Sequence, residues 1–186
     1  MLNIIAGTLS SPVVIVPSSY ESIATVTVGS GGSATVSFTS IPSGYEHLQI
    51  RFLAANEAAA GDEPIYIRFN SDSTNSNYRS HRLGGSGSGL VADSYQLPIG
   101  SATCGNGDAA TYYGGGVVDI LDYDNTNKYK TIRSLSGWDG NGSGYAWLIS
   151  ELWMNTNAIT QIDITTFSGS EYRQYSHFAL YGIKGV

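Results

Sequence analysis

Short runs in which apolar and polar residues alternate strictly, each cut off by a cluster of Gly, Ser, Asn or Asp, recur along almost the whole chain. A period of two sends successive side chains to opposite faces of an extended segment, so such runs bury one face of a strand and cannot bury one face of a helix. Ala24-Thr25-Val26-Thr27-Val28 and Ala34-Thr35-Val36-Ser37-Phe38 flank Gly29-Ser30-Gly31-Gly32, and the spacing predicts a β-hairpin. Leu48-Gln49-Ile50-Arg51-Phe52 and Ile65-Tyr66-Ile67-Arg68-Phe69 repeat one scheme, three apolar side chains against two polar ones, and predict half-buried strands. Further strand candidates lie at 78–83, 94–98, 116–121, 129–135, 145–153, 159–167 and 177–183, making ten or eleven short strands. Turn clusters at 71–77, 84–89, 105–108, 122–127, 137–144 and 168–171 separate them. The best helical window, 53–60, is ended by Gly61-Asp62 and Pro64, and its small residues suit a loop equally well.

Many short strands joined by Gly-rich turns predict an all-β antiparallel β-sandwich, jelly-roll-like, with a closed barrel as the second architecture. Residues 1–19 differ in texture, being apolar and carrying Pro12 and Pro17. They read as an extended N-terminal arm that anchors the domain 20–186, with Leu2, Ile4, Ile5 and Leu9 as its attachment side chains. An ordinary edge strand fits the same residues, because edges tolerate Pro.

Composition narrows function mainly by exclusion. With 9 Lys+Arg against 15 Asp+Glu, the net charge is −6 and no basic stripe is present, which argues against a nucleic-acid partner. The single cysteine, Cys104, cannot close a disulfide within the chain, and a zinc site would have to rely on three histidines and the acids. No apolar run, Val13-Val14-Ile15-Val16 included, approaches the roughly 18 residues that span a bilayer. Met1 to Gly7 lacks the basic region of a secretory signal, so a soluble chain without membrane insertion or export is expected.

The search for chemistry finds no reaction. His47, His81 and His177 show no close metal-ligand spacing, and the segment 84–89 has neither the GxSxG nor the GxGxxG arrangement. A polysaccharide-degrading enzyme would use two convergent carboxylates, and Asp62-Glu63, Asp119, Asp122, Asp124 and Asp139 are present. Nothing in their spacing selects a pair, and neighbours on a strand point apart, so no enzyme and no cofactor are expected. Asn70-x-Asp72-x-Thr74, Asp122-x-Asp124-x-Thr126 and Asp139-x-Asn141-x-Ser143 space oxygens as a calcium loop can, with the Asp122 loop, and so Asp122 and Asp124, preferred; none has the EF-hand glycine and glutamate, and turns demand the same residue types. Aromatic residues say more, with 13 Tyr and 3 Trp against 5 Phe. A flat apolar ring with a polar handle suits interfaces and sugar stacking, which makes Tyr112, Tyr113, Trp138, Asp139, Asn141 and Tyr145 the candidate glycan or partner contacts. Trp147 and Trp153, on one strand, are expected to pack inward.

The runs Tyr20-Glu21-Ser22-Ile23-Ala24-Thr25-Val26-Thr27-Val28-Gly29 and Ser40-Ile41-Pro42-Ser43-Gly44-Tyr45-Glu46-His47-Leu48-Gln49-Ile50-Arg51 resemble small structural proteins of tailed bacteriophages, marine and cyanobacterial ones especially. Ile67-Arg68-Phe69-Asn70, Asn77-Tyr78, His81-Arg82-Leu83 and the closing Ala179-Leu180-Tyr181-Gly182-Ile183-Lys184 continue the pattern. The resemblance implies a non-enzymatic virion protein, a tail-fibre or spike head or a capsid decoration, assembled in the host cytoplasm. It also implies other virion proteins as partners and a homo-oligomer, typically a trimer. Host-surface polysaccharide is the ligand expected of a knob; a pure cement protein would bind none. The absence of a long shaft after the arm favours a compact knob or decoration.

Overall fold

A computed structural model describes residues 19–58, 61–104, 111–140 and 142–185. Leu2, Ile4, Ile5, Leu9 and Asn141, and with them nearly all of the arm, lie outside the described residues. Among the described residues twelve strands form two antiparallel sheets: β1 (Tyr20–Thr27), β2 (Thr35–Phe38), β3 (His47–Ala54), β4 (Asp62–Phe69), β5 (Tyr78–Gly85), β6 (Leu90–Tyr95), β7 (Ile99–Cys104), β8 (Gly114–Leu121), β9 (Lys130–Asp139), β10 (Gly144–Trp153), β11 (Ile162–Thr166) and β12 (His177–Ile183). The large sheet runs β1-β12-β3-β8-β9-β10-β5-β6 and the small one β2-β11-β4-β7. This is a β-sandwich, as the alternation predicts. One 3-10 turn, Asn75–Asn77, is the helical content among the described residues.

The period of two sets the packing. In β3, Leu48, Ile50, Phe52 and Ala54 point inward while Gln49 and Arg51 point out. Val118 and Ile120 of β8, Ile132 of β9 and Phe178 and Leu180 of β12 extend that layer, and Val36, Phe38, Ile65, Ile67, Phe69, Ile162 and Ile164 of the small sheet close onto it. Each such side chain contributes roughly 1.5–3 kcal/mol by leaving water. Trp147 and Trp153 are buried, as expected of their strand. Beyond the small sheet's edge, Arg82 closes the layer: its guanidinium donates from Nε and Nη2 to Asp93 at 3.0 and 2.9 Å and lies 4.5 Å from the centre of the Trp147 ring.

One core residue runs against the pattern. Glu151 of β10 is 1% exposed, between Ser80 and Ile132 on the flanking strands and against the backbone of Gly100. Neither carboxylate oxygen has a hydrogen-bond donor among the described residues. Burial pushes the carboxyl well above its ordinary range, and the positive charge of Arg68 only partly opposes this.

Two sequence expectations are corrected, and the open reading of residues 53–58 is resolved. The alternating segments around residues 29–32 do not form a hairpin: β1 pairs with β12 in the large sheet and β2 with β11 in the small one. The connection changes sheets because each strand finds its partner near the C-terminal end of the chain. Residues 53–58 are not helical; β3 continues through Ala54, and Asn56 bridges to Tyr172. Finally, β7 has no counterpart among the strand candidates, since Gly100-Ser101-Ala102-Thr103 offers little apolar alternation.

Candidate functional site

The connection between β11 and β12 is an irregular segment fixed at several points. Tyr172 N–H donates to Ser33 O at 2.8 Å and Ser33 N–H returns to Tyr172 O at 3.1 Å, while Arg173 N–H donates to Ala55 O at 2.8 Å. The Tyr172 ring is fully buried and meets Phe178 edge-on, with centroids 5.0 Å apart. Ser176 Oγ donates to Ala55 O at 3.1 Å, and Val28 N–H donates to Ser176 O at 2.8 Å. Between these anchors Ser176 N–H closes a four-residue turn onto Arg173 O at 3.0 Å.

The third residue of that turn is Tyr175, with φ +71° and a side chain 69% exposed. A bulky residue in the left-handed region costs on the order of 1–2 kcal/mol, a place usually given to Gly or Asn. The flanking anchors hold the backbone there, and the ring projects into solvent at the mouth of an open cleft of about 650 Å³. Tyr113 lines the same cleft, half-buried, its hydroxyl donating to Gln174 O at 2.6 Å. Glu57, Thr111, Glu171 and Arg173 are among the other residues that line it. The Arg173 guanidinium is almost buried and donates from Nε to the half-exposed Glu57 carboxylate at 2.9 Å. Gly32 keeps one wall open: it sits at φ +72°, and a side-chain carbon there would come within 2.8 Å of Glu171 Oε2. Two aromatic faces, hydroxyls and opposed charges thus converge on one concavity, a donor set able to grip a polar, ring-shaped ligand.

The residues singled out in the sequence divide. Tyr113 belongs to this cleft. Trp138 is not on an exposed loop; it is the penultimate residue of β9, on the inner face, 5% exposed, packed with Ala55, Tyr112, Tyr113 and Tyr145. Its indole N–H has no acceptor among the described residues. Tyr145 is half-buried and lies parallel to Trp147, with ring centres 5.5 Å apart. Asp139 is exposed beside a Gly/Ser-lined groove between the β5–β6 and β9–β10 turns. Of the cation candidates, Asp122 lies with Glu46 and His47, their ligand atoms within 4.8 Å of one another. Its carboxylate is paired with the Lys128 ammonium, which holds it below the usual carboxylate range, and its amide donates to His47 Nδ1 at 3.0 Å. Within the trio the Asp122 carboxylate is thus already engaged by Lys128, and Asp124 lies outside the trio. Tyr175 escaped the sequence reading because Arg173-Gln174-Tyr175-Ser176 carries no Gly or Asn to mark a turn.

No protein-family model and no curated protein sequence matches this chain. The solved structure of galectin LEC-6 from Caenorhabditis elegans is similar over 87% of this chain and 96% of that one, at 11% identity and a TM-score of 0.31. A likeness at that level bears on neither the cleft nor its ligand.

Proposed function

We propose that the protein is a non-enzymatic surface module of a virion, a knob or decoration that contacts host-surface glycan through the cleft between Tyr113 and Tyr175. The observation that carries the glycan part is Tyr175: an aromatic side chain held out in water by a strained backbone is maintained at a cost, and such strain collects where a ligand is met. Its face supplies CH–π contact to a sugar ring, and the Arg173–Glu57 pair, Thr111 and Glu171 supply donors and acceptors for hydroxyls. The virion part is supported by the resemblance of Tyr20–Gly29 and Ser40–Arg51 to tailed-phage structural proteins and by the apolar segment 1–19, which would mount the domain through Leu2, Ile4, Ile5 and Leu9. Individually weak sugar contacts gain strength when many copies are displayed on one particle.

A glycan array probed with the whole chain tests the first part. Binding to at least one glycan class is expected, weakened about tenfold by Tyr175→Ala, the equivalent of a lost stacking contact near 1.4 kcal/mol. Silence across the array, or binding indifferent to Tyr175→Ala, refutes the glycan reading. For the second part, Ile4→Asp/Ile5→Asp in the full chain should abolish incorporation into particles; normal incorporation refutes the anchoring arm.

A further inference from the structure

The outer face of the large sheet is unusually apolar. Leu83, Leu148, Leu135 and Val117 stand opposite one another on β5, β10, β9 and β8, forming a ridge across four strands. The three leucines are 53–64% exposed. Two residues further along the same strands, Gly85, Ala146, Gly137 and Gly115 form a second row in register, with almost no side chain: a trough parallel to the ridge. Leu90, 90% exposed, and Leu53, 52% exposed, stand at the trough's two ends. The exposed leucines alone present on the order of 500 Å² of apolar surface, at the upper end of the largest patch on an ordinary monomer.

Ridge and trough lie on either side of a line through Gly84, Trp147, Ser136 and Gly116, which are in register across the four strands. A two-fold axis parallel to that line and above the sheet lays the leucine ridge of one copy into the trough of the other, at the roughly 10 Å spacing of packed sheets. The same operation exchanges positions equidistant from the line along each strand. On β9 it brings Arg133, three residues before Ser136, over Asp139, three residues after it. Both side chains are exposed on the outer face. The face is therefore complementary to itself in shape and in charge, which is what an isologous contact requires. We infer that this face is the interface of a two-fold homodimer, with Arg133 of each copy paired to Asp139 of the other. The leucine surface supplies over half of the roughly 800 Å² per partner of a standard interface, and the flanking rows supply the rest. The assembly is thus a pair, in place of the trimer that the phage resemblance implies.

Sedimentation velocity on the full chain between about 1 and 100 µM tests this. A species of twice 19.7 kDa is expected. Arg133→Asp and Asp139→Arg singly should each weaken association at least tenfold by setting like charges opposite each other, and the double variant should recover to within about threefold of the parent. Leu135→Glu/Leu148→Glu should give a monomer with an unchanged far-ultraviolet circular dichroism spectrum. A parent monomeric at 100 µM, a trimer, a dimer indifferent to the leucine substitutions, or a double charge variant no better than its weaker parent each overturns the inference. A monomeric parent that begins to dimerise on Ile4→Ser/Ile5→Ser/Leu9→Ser also overturns it, by showing the chain's own N-terminal segment to be what covers the face.

Discussion

Substituting Glu151 by Gln should change how stability depends on pH more than it changes stability in acid. The folded carboxyl is almost wholly buried, has no donor among the described residues, and is held protonated well above its ordinary value of 4.5 by desolvation. In the unfolded chain the same group ionises near that ordinary value. Between the two values the folded state binds more protons, so stability from this group is fully present in acid and falls as pH rises, by about 1.4 kcal/mol per pH unit, until the folded group itself ionises. Each pH unit crossed in that window removes a sizeable part of the roughly 5–15 kcal/mol that holds a domain together. Gln keeps the shape and remains neutral, so Glu151→Gln should match the parent near pH 4 and gain on it as pH rises, by about 1.4 kcal/mol per unit until the folded carboxyl ionises. Asp62, also raised by burial, and Asp93 and Asp122, lowered by Arg82 and Lys128, contribute equally to both proteins and cancel in the difference. Urea unfolding at half-unit intervals from pH 4 to 8, read as the difference in midpoint, measures it; at a slope of about 2 kcal/mol per M the gap widens by about 0.7 M per pH unit. A difference that stays flat over this range would show that Glu151 is solvated or paired, and would refute the reasoning.

Two further substitutions probe the frame around the site. Gly182 lies under the Tyr45 ring, where an added carbon would come within 2.4–2.5 Å of three ring atoms, so Gly182→Ala should expel the ring and cost about 1–3 kcal/mol, lowering the calorimetric Tm by several degrees. Arg82→Lys keeps the charge but loses the two-pronged bond to Asp93 and the stacking on Trp147, so a loss of about 1–3 kcal/mol with altered tryptophan emission is expected; an unchanged midpoint and spectrum would show that the charge alone suffices.

Much of the sandwich is legible in the chain because one buried face imposes a period of two. Leu48 to Phe52, Ile65 to Phe69 and His177 to Ile183 are read correctly from that pattern alone. Pairing is less legible: Thr25 and Thr35 look like hairpin partners, yet they lie in different sheets, because the residues they bond to are more than a hundred positions away. β7 is invisible since its small residues pack against the opposite sheet by shape and not by an apolar stripe. At the site, Tyr113 is found from its aromatic neighbours, whereas Tyr175 depends on a backbone angle that no local residue announces. Trp138 misleads in the other direction, as Gly and Asp around a tryptophan mark a turn without saying which side of the sheet the ring takes.

The order of the strands has a consequence for how the molecule comes into being. β12 lies between β1 and β3, and β11 between β2 and β4, so each sheet has a slot filled only by a strand synthesised after β1–β10. Until then four strands wait with unpaired edges toward those slots, the condition in which nascent β proteins cross-pair. Closing loops of more than a hundred residues is slow, and completion of both sheets is close to simultaneous. A product cut short before residue 162 therefore lacks a strand from the interior of each sheet at once, and quality control meets either a finished sandwich or two open ones.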